Sequence, residues 1–466
     1  MSKAPCVIKL LRKTATVSLA LAVISSAFTA PSYAQKGRKL AFVRDAETEQ
    51  LLRDYTKPIL KAAGLNAGSV EPVLINDKSF NAFVADGRRI FMNVGVIIDA
   101  DTPNEVIGVL AHETGHIAGN HLVRLRQAAS RAQLMAVIGS LLGAGAIAAG
   151  ASSGSGGVAQ GGAAIIGGGA SVAKRSLLSY QRSEEISADR AAVTYLQRTG
   201  QSAKGMIDTF RRMAGSELFS AKYSDPYAVS HPMPRERISR LETLAKKSKH
   251  YNAKDPKGLQ LRHDLVRAKL IAFTSHPKSV ARRYPKSDKS LPADYARAVA
   301  AMRGGNINRA VKSIDRLIKR QPKNPYFWEL KGQALIEAGR AKKAIAPFKQ
   351  ALALAPSQGQ LQIWYGYALV ASEDDKYLPA AVKNLQTGLR KDPNSPLGFR
   401  QLAIAKSRMG RNAEADVATA QGLMLAGDVK SARQYANRAM KRLKRGSREW
   451  ILAEDIMTYK PPKFRR

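Results

Sequence analysis

Cysteine is nearly missing from this chain: its 466 residues include one, Cys6. That residue lies in a stretch marked for removal, so the mature chain has no thiol and can form neither a disulfide nor a cysteine nucleophile. Acidic residues are scarce too. Asp and Glu total 36 against 75 Lys and Arg, a formal charge of +39. Such a surface calls for polyanionic surroundings: nucleic acid, anionic lipid head groups or another acidic polymer. Aromatic residues make up 6% of the chain and are not interleaved with the basic patches, which makes nucleic acid the poorest of the three. The apolar fraction of 45% and charged fraction of 24% are those of a folded protein and exclude wholesale disorder. The length allows two or three domains.

The amino terminus supplies a basic segment, MSKAPCVIKLLRK, an apolar one, TATVSLALAVISSAFTA, and the ending PSYA before Gln35. Ser32 and Ala34 suit the −3 and −1 positions of a signal-peptidase site, so residues 1–34 read as a cleaved export signal rather than a permanent anchor. Cys6 is not at the cleavage point, so a lipoprotein is not expected. Export directs the basic surface toward a membrane or envelope polymer and away from nucleic acid.

TPNEVIGVLAHETGHIAGNHLVRLR, residues 102–126, reads as one helix. Thr102 is the N-cap candidate, Pro103 sits at N1, and apolar residues recur at helical spacing. His112 and His116 are four residues apart, on one face and one turn from each other, where both imidazoles can bind one metal ion. Glu113 is adjacent, placed to take a proton from an attacking water and to deliver it to a leaving amine. Chance occurrence of HExxH is the bland alternative; the apolar VIGVLA beside it, which suits a dry back wall, weighs against coincidence. His121, five residues beyond His116 on a continuous helix, faces away from the metal and stays outside the ligand set.

A catalytic zinc takes three protein ligands. SEEISADRAAVTYLQRTG, residues 183–200, is an amphipathic segment closed by Gly200. Glu185 and Asp189 share one of its faces, while Glu184 points elsewhere. Glu185 is assigned as the third ligand, with Asp189 behind it, holding a histidine N–H and fixing its tautomer. Alone, a solvated acidic helix start would explain these residues better; beside HExxH, metal binding explains them better.

HETGH followed by EISAD, an ExxAD pattern, resembles the gluzincin metallopeptidases related to HtpX and BepA. RDAETE from Arg44, NAFVADGRRIFMNVGVI from Asn81 and HPMPRERI from His231 resemble further segments of that family, and the match runs from about residue 40 to 245. The resemblance implies one Zn2+ per chain on His112, His116 and Glu185, with Glu113 as general base. It implies that His231 approaches the metal, either masking it or stabilising the oxyanion. For BepA-like members it implies a periplasmic location and misassembled outer-membrane proteins as clients.

EPVLIND and FNAFVADGRRIFMN alternate in the manner of strands, and Asp86-Gly87 signals a hairpin turn. An edge strand beside a metal cleft can hold unfolded substrate by backbone hydrogen bonds, with Asn81 and Ala82 as its edge residues. A hairpin that merely packs on the helices is an equal alternative. Between residues 132 and 173 charge is missing altogether, with Arg131 and Lys174 as brackets. Three uses stay open, in this order: a lid or helical hairpin over the cleft that dips into lipid or docks on a partner, plain internal packing, and a true transmembrane span. The span ranks last because His116 and Glu185 must return to one metal.

Residues 251–290 read as a connecting helix and a basic linker. Beyond them a 34-residue period appears, marked by Pro322 and Pro356 with Trp328, Gly332, Leu335, Gly339, Ala344, Phe348 and Ala351 between them. These fit the tetratricopeptide template, and further copies fill 291–445. Residues 446–466 read as a basic tail. Such repeats offer a groove for an extended peptide or a partner protein, and they permit an oligomer without requiring one.

The expected fold is mainly α: an α+β metallopeptidase domain over residues 35–250 with a small antiparallel β-hairpin or sheet, then a tetratricopeptide α-solenoid. The expected activity is zinc-dependent endoproteolysis of unfolded or misassembled envelope proteins. The repeats would dock clients or the envelope assembly machinery, and residues 132–173 would make a peripheral membrane contact. The rival is a largely latent peptidase acting as a chaperone or scaffold. No nucleic-acid partner is expected.

Overall fold

Asp45 opens the first long helix: its side chain accepts from the Thr48 N–H, and α1 (Ala46–Ala62) follows with Leu51, Leu52, Tyr55, Ile59 and Leu60 buried along one side. The computed structural model describes residues 41–153, 156–217, 231–232 and 235–460. The export signal expected over residues 1–34 lies outside the described residues.

Helix α1 packs on a sheet of four strands, β1 (Phe42–Val43), β2 (Glu71–Ile75), β3 (Ala82–Val84) and β4 (Arg89–Asn93), in the order β1-β2-β4-β3. Strands β3 and β4 form an antiparallel hairpin. Its turn needs the positive φ of Gly87, 73°, and Asp86 accepts from the N–H groups of Arg88 and Arg89 at 3.0 Å each. Strand β2, however, runs parallel to β4, pairing Leu74 with Met92. The sheet is therefore mixed, which corrects the antiparallel expectation: alternation along a strand marks its two faces and not the direction of its neighbour.

Among the described residues, six helices complete this half: α2 (Val94–Asp99), α3 (Pro103–Ala118), α4 (His121–Ser153), α5 (Gly156–Arg198), α6 (Lys204–Glu217) and α7 (Arg235–Lys246). Val106, Val109 and Leu110 of α3 join Ala192 and Leu196 of α5, Met206 and Phe210 of α6, and Leu241 of α7 in one core. Gly115, inside HETGH, sets how closely α3 crosses α5. A Cβ there would stand 2.9 Å from the Ala188 carbonyl oxygen, so glycine lets the histidine helix lie against the turn that carries Glu185.

Helix α8 (Lys257–Thr274) gives Val266 and Leu270 to that core, while its Leu265, Ala268 and Ala272 belong to a second core with Tyr295, Val299 and Phe327. Residues 275–290, expected as a basic linker, are instead packed: α9 (Pro277–Arg283) buries Val280 completely in the second core. The solenoid follows as α10 (Leu291–Arg303), α11 (Ile307–Arg320), α12 (Pro325–Glu337), α13 (Ala341–Leu354), α14 (Gly359–Ala371), α15 (Leu378–Lys391), α16 (Pro396–Arg408), α17 (Asn412–Leu425), α18 (Val429–Met440) and α19 (Arg448–Thr458). The basic tail expected from residue 446 is thus a further helix, which buries Ala453 and Ile456 beside Ala436 and Ala439.

The repeat is visible in the backbone. The turns inside the first three helix pairs hold Gly305, Gly339 and Glu373, each 34 residues from the last and each with positive φ, 76°, 69° and 58°. Small residues meet large ones between helices: a Cβ on Gly332 would strike the Phe348 ring at 2.6 Å, and one on Gly366 would strike Leu385 at 2.6 Å.

The RDAETE segment holds the two halves together. Arg44 bonds Asp392 at 2.7 Å and the Asn394 carbonyl at 2.9 Å. The Tyr295 hydroxyl donates to Glu47 at 2.8 Å, and the buried Lys269 ammonium reaches Asp45 at 2.5 Å and Glu47 at 3.3 Å.

Candidate metal centre

Four side chains converge where α3 crosses α5. Nε2 of His112 lies 3.1 Å from Nε2 of His116 and 3.3 Å from Glu185, and His116 Nε2 lies 3.4 Å from Glu185. These are close to roughly 3.3 Å, the edge of a tetrahedron whose corners stand about 2 Å from a central cation. His231 brings the fourth donor, its Nδ1 3.0 and 3.1 Å from the Glu185 oxygens and 3.4 Å from His112 Nε2. The donor atoms of all four residues lie within 4.8 Å of one another. Glu113, 1% exposed, sits beside them with Oε1 3.7 Å from His231 Nε2.

Each donor is held from behind. Asp189 Oδ1 is 3.0 Å from His112 Nδ1, and the Arg237 guanidinium grips the same carboxylate at 2.6 and 2.8 Å. Arg237 also reaches Glu185 at 3.0 Å and donates to the Pro232 carbonyl at 2.9 Å, next to His231. Phe210 closes the back wall, edge-on to His112 at 5.7 Å and under Arg237 at 5.4 Å.

The expected single helix over residues 102–126 does not form. Helix α3 ends at Ala118, and Asn120 adopts the left-handed region at φ 53° before α4 begins. Asparagine tolerates that conformation. The turn folds His121 back, which corrects its expected position facing away: His121 Nδ1 is 3.0 Å from His116 Nδ1, and its Nε2 is 2.8 Å from Glu184, a residue read as pointing elsewhere. Neither joins the donor cluster. The signals for them were the Gly-Asn pair, a turn signature inside a helical pattern, and the Arg of HPMPRERI for Arg237.

The electrostatics follow from burial and pairing. Burial opposes charge on His112, but hydrogen bonds to Asp189 and Glu185 outweigh it and lift the ring to about 9. A divalent cation takes the place of such a proton. Burial, with the His112 charge beside it, holds His116 well below its ordinary range, and burial lowers His121 as well. Burial works against ionised Glu185 and Asp189, yet the hydrogen bonds from His112 and His231 to the first, and from Arg237 to the second, keep both carboxyls below the usual range. Imidazoles whose other nitrogen is anchored, next to an ionised carboxylate, make a donor set that fits zinc.

Ala82 opens β3, the strand at one edge of the sheet, with Asn81 just before it, and α3 packs on that strand. The Asn81 carbonyl accepts from the Asn93 N–H at 2.8 Å, and its side-chain oxygen is buried without a hydrogen-bond partner among the described residues.

Residues 46–245 match peptidase family M48 and residues 295–359 match a tetratricopeptide repeat, so the chain carries a metallopeptidase domain of that family together with helical repeats. Relatives share both halves. The beta-barrel assembly-enhancing protease of Yersinia pestis is 25% identical over 408 residues, covering 86% of this chain and 82% of its own length. The protein of the same name from Escherichia coli (strain K12) is 25% identical over 415 residues, covering 86% and 81%. Among solved structures, the tetratricopeptide protein YrrB superposes with a TM-score of 0.31 at 14% identity, covering 38% of this chain and 91% of its own.

Proposed function

We propose that the chain is an exported zinc endopeptidase of the bacterial envelope that cleaves unfolded or misassembled proteins, including outer-membrane proteins. The observation that carries this reading is the meeting of His112, His116 and Glu185 at tetrahedral spacing, with Glu113 alongside. The relatives named for β-barrel assembly support the choice of client, and the export signal read in residues 1–34 supports a periplasmic site of action. His112, His116 and Glu185 would hold a zinc ion, which would supply Lewis-acid chemistry for the scissile carbonyl and the attacking water. Glu113 accepts the proton of the attacking water and returns it to the departing amine. Asp189 keeps the proton of His112 on Nδ1, which aims the Nε2 lone pair inward, and Arg237 holds Asp189 and Glu185 in register. Strand β3 offers its free edge, with Asn81 and Ala82 at its start, to an extended substrate. The repeats dock clients or the assembly machinery.

One observation favours a latent resting state: His231 Nδ1 stands among the donors, where a fourth ligand would sit. Metal content and cleavage of an unfolded protein, compared across the unmutated chain, Glu113→Gln and His231→Ala, test both readings. One zinc per chain is expected in all three. Glu113→Gln loses about 10²–10⁴-fold in cleavage, and His231→Ala cleaves faster than the unmutated chain. Absence of zinc, or full activity in Glu113→Gln, ends the peptidase reading; slower cleavage by His231→Ala ends latency and gives His231 a place in oxyanion stabilisation.

A further inference from the structure

Helices α4 and α5 leave the metal centre side by side as one helical hairpin. Glycines stand where they touch: a Cβ on Gly143 would come within 2.6 Å of the Gly162 carbonyl oxygen, and one on Gly162 within 2.5 Å of that of Gly143. Ile166 and Ile147 lie against those glycines across the contact, while a further set of large apolar side chains faces outward. Leu134 is 60% exposed, Met135 64%, Leu141 69% and Leu142 64%, and with Val137 and Ile138 they form one continuous arc of α4. On α5, Ile165 and Val172 repeat the pattern seven residues apart, on one face. Glycines that let two helices approach closely, with large apolar side chains covering the outer faces, are the arrangement of helices that meet in lipid, where the surroundings are as apolar as the side chains.

Length and charge agree with it. His121–Ala149 is long and apolar enough to cross a membrane, and very little of its apolar stretch is buried. The uncharged parts of the two arms, residues 132–153 and 156–173, are about 33 Å and 27 Å long at about 1.5 Å per residue, against a hydrocarbon core of about 30 Å. Both arms end in basic residues at the same end. Arg124, Arg126 and Arg131 precede the uncharged part of α4, and Lys174, Arg175 and Arg182 follow that of α5; all six are exposed. Arg131, Lys174, Arg175 and Arg182 make no ion pair among the described residues. Cations at one level on both arms, with apolar surface beyond them on both, match a plane of phosphates better than a groove in a protein.

We propose that the α4–α5 hairpin inserts into a lipid bilayer rich in anionic headgroups, with these six basic side chains as a collar on the phosphates. The inference stands apart from the peptidase reading. It places the metal centre at the membrane surface, because His121 begins one arm and the helix of the other runs on unbroken to Glu185.

Vesicle flotation of the full chain tests it. With phosphatidylethanolamine–phosphatidylglycerol vesicles the chain floats; with phosphatidylcholine alone the floating fraction falls by at least about tenfold. L141E/L142E stays at the bottom of the gradient, and R131E/K174E/R175E loses the preference for anionic lipid. Every variant keeps the apolar amino-terminal stretch, so these differences report the hairpin. A Leu141→Trp chain adds a reading of depth: its extra fluorescence is quenched by lipids brominated on their acyl chains. The proposal is overturned if L141E/L142E floats as well as the unmutated chain, if the added tryptophan is not quenched, or if the chain self-associates through this hairpin and ignores vesicles of either composition.

Discussion

His121 faces His116 through like atoms, Nδ1 to Nδ1 at 3.0 Å, and Glu184 sits 2.8 Å from the far nitrogen of His121. The charge of that carboxylate favours the His121 proton on Nε2, the nitrogen beside it. The neutral His121 ring is then left with a lone pair at Nδ1, which obliges His116 to donate through its own Nδ1 and to present Nε2 as a lone pair toward His112 and Glu185. Two residues outside the donor cluster thereby choose the tautomer of one inside it.

Removing that choice weakens metal binding without unfolding the chain. His121→Ala is expected to lower zinc affinity by about 10–100-fold, read by competition with a chromogenic chelator, with the far-ultraviolet circular dichroism unchanged. An affinity equal to that of the unmutated chain would show that His116 keeps its tautomer without help.

Arg237 carries the stability of the site. Its guanidinium forms a fork on Asp189 and a third contact to Glu185, all buried. Arg237→Ala takes the one full positive charge from two buried carboxylates and leaves them only histidine partners, and urea denaturation is expected to show a loss of about 3–5 kcal/mol. Arg237→Lys keeps the charge but not the fork and falls between the two. A loss under about 1 kcal/mol for alanine would contradict this account.

Glu329 predicts a pH dependence. Burial lifts its carboxyl to about 8, against the pull of the Lys269 ammonium and with the charges of Asp45 and Glu47 adding to the rise. Its Oε2 has no hydrogen-bond partner among the described residues, and Gln333 donates to Oε1 at 3.1 Å. The folded chain thus holds a proton that the unfolded chain releases near 4.5. Its contribution to stability is complete below that value and is lost as pH rises through about 8, at about 1.4 kcal/mol per unit. Urea midpoints at pH 5, 7 and 9 should fall more steeply for the unmutated chain than for Glu329→Gln. Parallel pH profiles would refute it.

Glu373 holds the left-handed turn position that glycine fills one repeat earlier, at Gly339, and two repeats earlier, at Gly305. Glu373→Gly removes left-handed strain of about 1–2 kcal/mol and gives part of it back as unfolded-chain entropy, so a net gain of about 0.5–1 kcal/mol is expected in thermal denaturation. Gly339→Ala, although its Cβ would meet open space, should lose about 1 kcal/mol because its φ of 69° is unfavourable for alanine.

Local spacing made some of this legible and long-range contact hid the rest. The four-residue interval of His112 and His116 and the 34-residue interval of the repeat are written in the chain itself, and the helices observe both. His121 was misplaced because one continuous helix was assumed across Gly119 and Asn120; a single left-handed residue redirects everything after it. Arg237 touches Asp189 across 48 positions, a separation at which no periodicity speaks. Strand β2 carried the right alternation but no mark of its parallel partner. The basic composition of residues 275–290 suggested a solvated linker, yet one buried valine, Val280, is enough to pin that segment to a core.

Helix α8 belongs to neither half alone, since its opposite faces complete two different cores. Severing the chain on either side of it would uncover apolar surface on both products, so a trimmed peptidase or a trimmed repeat array is not a smaller version of the same molecule. A force applied to the repeats would reach, through this helix and the Lys269–Asp45 pair on it, the helix that Asp45 caps. The junction between the repeats and the metal centre is thus a shared helix packed on both sides.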